Sequence, residues 1–161
     1  MKHRMLLPML VAIALGWPAH AGAELRNWFN DPFFMLAAAL PDCPLPAGPF
    51  ITEQEMRAQS HHRAEKGTSC WLAQECELPN AYAYDQAIAA ALQSAVREHN
   101  PFAQSSLWVT VQGRVVIIEG CVGETVRSAD LEPFARAVPH VQQVILRLRA
   151  SAAAAPPYRP R

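Results

Sequence analysis

The chain carries no excess of either charge: 14 lysines and arginines face 14 aspartates and glutamates. That balance excludes the strong positive field expected of a nucleic-acid binder. Long apolar runs are also missing. The most apolar stretch, Met5 to Trp17, is about a dozen residues and contains Pro8, too short to cross a bilayer core of about 30 Å. There is no nucleophile elbow, no phosphate loop, no metal signature and no isolated pair of carboxylates. Their lack argues against an enzyme and leaves no cofactor or metal to expect. Internal repeats are absent too.

What is present begins with an address. Lys2 and Arg4 give a positive start, Met5 to Trp17 is apolar, and Ala21-Gly22-Ala23 offers small residues at the cleavage spacing. Residues 1–23 therefore read as a cleaved signal peptide, and the expected location is the periplasm. No cysteine follows the cleavage site, so a lipid anchor there is not expected. Without Lys2 and Arg4 the remainder holds 12 basic against 14 acidic residues. Its two halves differ: residues 24–84 carry Arg26, Arg57, Arg63 and Lys66 against eight acids, and residues 85–161 carry eight arginines against six.

Four cysteines, Cys43, Cys70, Cys76 and Cys121, are an even number in an exported chain, which favours two disulfides with three possible pairings. Metal binding with His61 and His62 is the alternative, but the spacing fits no familiar zinc pattern. Gly67-Thr68-Ser69-Cys70-Trp71 is similar to the run around a papain-type nucleophile. Only 91 residues follow Cys70, too few for partners expected about 130–150 residues downstream, so a protease is excluded.

Residues 24–84 form an extension. Trp28, Phe29, Phe33, Phe34 and Met35 are expected to lie against a sheet as a covering arm rather than to serve as a membrane foot, because large exposed apolar patches are avoided. Prolines 41, 44, 46 and 49 keep the chain extended up to Phe50. Thr52-Glu53-Gln54-Glu55 fits a capping box, opening a helix to about Lys66 that Gly67 would end. His61 and His62 on it read as plain surface.

Residues 85–149 form the main module. Ile88, Leu92, Ala95 and Val96 make one buried stripe on a helix from Tyr84 to His99, stopped at Asn100-Pro101. Leu107 to Val122 then reads as a β-hairpin turning at Gln112-Gly113-Arg114. Leu107, Val109 and Val111 face one way, Trp108 and Thr110 the other. Val115 to Ile118 is apolar on both faces, as in a central strand covered on two sides. A core of this size is marginal without staples, so Cys121 at the strand end is expected to tie the sheet to Cys43, Cys70 or Cys76. Ser128 or Asp130 can cap a second helix to about Val138, with Pro133 in its first turn. Val141 to Leu148 is a third strand, with Val144, Leu146 and Leu148 on one face and Ile145, Arg147 and Arg149 on the other. The expected fold is α+β: two helices on a three-stranded mixed sheet, with a stapled N-terminal extension. The tail, 150–161, has nothing to bury and reads as disordered.

The order helix, strand, strand, helix, strand resembles the BON domain of exported bacterial proteins. The matching residues are Ile88 and Leu92, Val109-Thr110-Val111, Gly113, Gly120-Cys121-Val122 where that family has Gly-x-Val, and Val141 and Val144 before Leu146 and Leu148. His140, where the family has glycine, and Pro133, inside the second helix, depart from it. The resemblance covers about 65 residues, leaves 24–84 outside, and contains no catalytic motif. It implies a sandwich of two helices on a three-stranded sheet that binds phospholipid or another envelope component, often in envelope stress.

The residues expected to carry such binding are Arg147 and Arg149 on one strand face, Trp108 nearby, and Arg159 and Arg161 in the tail. Each basic residue near an anionic bilayer contributes about 1 kcal/mol. Against this stands an ordinary reading, in which Trp108 is core and the arginines are a solvated face. The alternative function is an accessory protein that contacts a protein partner through a sheet edge or the Trp28–Met35 arm. Glu119, alone in an apolar strand, should point to the edge or pair with an arginine.

Overall fold

The computed structural model describes residues 23–151 and 153–161. The expected signal peptide lies almost wholly outside them. Among the described residues no helix is long and apolar enough to cross a membrane.

The described residues are α+β, with three α-helices and one mixed sheet among them: β1 (Phe33–Ala38), α1 (Glu53–Leu72), α2 (Asp85–Glu98), β2 (Ser106–Gln112), β3 (Val115–Cys121), α3 (Leu131–Arg136) and β4 (Gln143–Arg149). The strand order is β1-β2-β3-β4. β1 and β2 are antiparallel, as are β2 and β3, while β3 and β4 run parallel across the α3 connection. The sheet has four strands rather than three. The extra one comes from the extension, whose Phe33 and Phe34 pair with Thr110 and Val109 instead of lying across a face. An extended aromatic and aliphatic run satisfies its backbone best by joining the sheet.

One face packs on α2 and α3. Ile88 and Leu92 meet Leu107, Val109, Val111, Val116 and Ile118, all at most 1 % exposed, and Leu131 and Ala135 close the far end. Burying each such aliphatic side chain is worth about 1.5–3 kcal/mol. Val144, Leu146 and Leu148 point to this core, as their spacing predicts. The hairpin turns through Gly113 (φ 58°) and Arg114 (φ 67°), two left-handed residues as in a type I′ turn. Asp85, at the start of α2, accepts both of their amides at 2.6 and 2.8 Å.

The other face is covered by the rest of the extension and by the tail. The Cys43–Cys121 disulfide staples the extension to β3, and Trp108 lies beneath it with Phe33 and Leu40. This is the cross-link expected of Cys121. The second disulfide joins Cys70 to Cys76. The tail is not without partners, contrary to its composition. Tyr158 is buried and donates to the Pro44 carbonyl at 3.0 Å, the Ala47 amide donates to the Arg159 carbonyl, and the Arg161 amide donates to the Leu45 carbonyl.

α1 is longer than expected. The capping box forms at Thr52 and Glu55, but Gly67 does not end the helix. It lies buried within it, where a Cβ would come 2.9 Å from the Asn80 side-chain oxygen. The glycine thus serves close packing against the chain at Asn80, and the helix runs on to Leu72 before the Cys70–Cys76 loop.

Candidate functional site

A cleft of about 260 Å³ opens where the extension, the tail and the second sheet face meet. Three of the five residues singled out for binding line it: Arg147 from β4, and Arg159 and Arg161 from the tail. Two carboxylates, Glu55 and Glu119, share the lining with Phe50.

β3 and β4 pair Glu119 with Arg147 in register, both on the second face. Glu119 forms the floor, its side chain 8 % exposed, and its Oε1 accepts from Arg147 Nη1 at 3.3 Å. That is the arginine partner expected for this acid. The mouth is cationic. Arg159 is 84 % exposed and stands 4.0 Å from Glu55. The Arg161 guanidinium lies over the Phe50 ring, 3.9 Å from its centroid, and Phe50 meets Phe33 edge-on at 5.8 Å. Stacking on a ring fixes a guanidinium while leaving its in-plane N–H groups to donate. Glu55 is held below the ordinary glutamate range, chiefly by the Thr52 amide and hydroxyl, with Arg159 assisting.

Two expected residues do not reach the cleft. Trp108 is 8 % exposed in the cluster around the Cys43–Cys121 bridge, so it offers no surface to a bilayer. Arg149 is buried and donates to the Ala154 carbonyl, and its charge opposes the rise that burial imposes on the Tyr158 hydroxyl. They are structural parts of the clasp between sheet and tail. His61 stands exposed beside Glu65 at 3.2 Å, and among the described residues no cluster of three or more metal-ligating side chains occurs.

Sequence reasoning missed Phe50 and Glu55 as parts of this site. Glu55 is legible as a cap, but nothing in its spacing brings the tail to it. It also missed a second polar cluster. Arg63 of α1 grips Asp31 through both carboxylate oxygens, at 2.6 and 3.0 Å, between the rings of Phe29 and Tyr82, each 4.0 Å away. Gln112 completes Asp31 at 2.7 Å. With every group matched, this cluster is a lock for α1 rather than a place for a ligand.

No protein-family model matches the chain, and no curated protein or solved structure does either.

Proposed function

We propose that the chain is a non-catalytic, exported module of the BON type that binds a phosphate-bearing component of the cell envelope, phospholipid first, through the cleft of Arg147, Arg159 and Arg161. The observation that carries this reading is the convergence of three guanidiniums, two of them from the tail, on one opening. Guanidinium forks match phosphate geometry. The lining offers charged and aromatic side chains to hold a ligand and no hydroxyl, thiol or imidazole to attack one. The two disulfides, one joining residues 78 apart, accord with an oxidising compartment.

Sedimentation with anionic phospholipid vesicles tests it. Binding is expected at low salt and should weaken at high salt, because exposed charges are screened. At about 1 kcal/mol for each basic residue, Arg159→Ala with Arg161→Ala should cost about thirtyfold. No sedimentation at low salt contradicts the reading.

The runner-up, a protein partner at the sheet edge, draws support from β1, an edge strand whose Met35 is 52 % exposed.

A further inference from the structure

The cleft is not uniformly basic, and its order of charges is informative. Glu119 is the most enclosed charged group in it and has a single hydrogen-bond partner among the described residues, the half-exposed Arg147 at 3.3 Å. Its carboxylate lines the cleft, and because its oxygens can accept several bonds it keeps capacity for a further donor. The guanidiniums of Arg159 and Arg161 stand at the mouth, with Phe50 forming an apolar wall beneath Arg161. A simple anion would satisfy the mouth and be repelled by the floor.

The geometry points to a zwitterionic ligand, an aminoalkyl phosphate: a primary ammonium donates to Glu119 on the floor while the phosphate, a few bonds behind it, takes the Arg159 and Arg161 forks at the mouth. The remainder of a phosphodiester would then project into solvent or toward a membrane. The inference deepens the proposed function and rests on it, because it assumes that the cleft takes phosphate. The shared chemistry is that of an ethanolamine-phosphate group, free or as a lipid headgroup.

Isothermal titration calorimetry on the full chain, at low salt, compares O-phosphoethanolamine with glycerol phosphate, which keeps the phosphate and lacks the ammonium. A charge-assisted hydrogen bond to a buried carboxylate predicts at least tenfold tighter binding of O-phosphoethanolamine. Glu119→Gln should erase that difference and leave glycerol phosphate no weaker, whereas the exposed Arg159→Ala should weaken both ligands. Equal binding of the two ligands to the unaltered chain, or a preference that survives Glu119→Gln, overturns the inference while leaving a phosphate cleft intact. If neither ligand binds, both the inference and the proposed function fail. Vesicles of phosphatidylcholine with and without phosphatidylethanolamine then tell the sources apart. Selective sedimentation with phosphatidylethanolamine assigns the headgroup, and binding of free O-phosphoethanolamine alone assigns a soluble ester.

Discussion

Arg63 shows how one side chain can hold an element that its own sequence barely supports. α1 has only Gly67 and Cys70 buried, so its burial of apolar surface is small. Arg63 compensates by filling the space between two aromatic rings and closing a bidentate pair with a buried carboxylate. Arg63→Ala should cost about 3–5 kcal/mol, since it strands Asp31, read as a fall in the urea midpoint. A loss under 1 kcal/mol would contradict the lock. Two other acids carry opposite pH signatures. Burial holds the Asp85 carboxyl above the ordinary aspartate range, against the two amides that donate to it. A raised carboxyl contributes stability that is fully present below its unfolded value and lost as pH rises through the folded one. Glu55 is lowered, so its contribution is present above the unfolded value and lost as pH falls through the folded one. In unfolding titrations across the carboxylate range, Glu55→Gln should therefore flatten the decline toward acid, and Asp85→Asn should steepen it. Unchanged slopes in both variants would refute these assignments.

Among the elements, those legible in the sequence were the ones whose pattern is local. The stripe of Ile88 and Leu92 and the alternation of Leu107, Val109 and Val111 predicted which faces are buried, and the structure places them in one core. α3 was harder: it spans only Leu131–Arg136, with Pro133 in its first turn and no side-chain cap from Asp130. β1 was not legible as a strand, because its partner lies some 70 residues on and its aromatic run equally suits a cover. Gly67 misled because a glycine after a helical stretch commonly ends it, whereas here the contact with Asn80 demands a missing side chain. Gly120 is the contrasting case: at φ 138°, a Cβ would stand 2.1 Å from the Ser106 carbonyl, so the β2–β3 pairing requires glycine there. The two staples differ in reach. By loop-closure entropy the Cys43–Cys121 bridge, 78 residues apart, is worth about 4–5 kcal/mol, and the Cys70–Cys76 bridge, six apart, about 2 kcal/mol. Removing each pair by serine substitution should reproduce that order in thermal midpoints. A larger loss from the short loop would mean that α1, not the sheet cover, is the element most in need of restraint.

At the scale of the whole molecule, the sheet has been enclosed twice, by helices on its apolar face and by extension and tail on the other, where Trp108 and the Cys43–Cys121 bridge lie beside Glu119 and Arg147. The double cover was legible in Val115 to Ile118, and so was the extension's share in it, but not the tail's. The tail looked idle because alanine and proline bury little. Its attachment depends on one tyrosine and on backbone pairing with residues 45–47, neither of which has a sequence period. The same attachment brings Arg159 and Arg161 beside Arg147, so the candidate site exists only when the clasp is closed. The site residues could be named from the sequence as basic groups, whereas their meeting at Glu119 and the burial of Trp108 and Arg149 depended on the clasp. Non-reducing peptide mapping of the folded chain tests most directly the staple that holds the extension, and with it the tail's docking segment, on the sheet. Cys43 should be recovered linked to Cys121, and Cys70 to Cys76. Free thiols at Cys43 and Cys121, or Cys121 linked to Cys70 or Cys76, would contradict it.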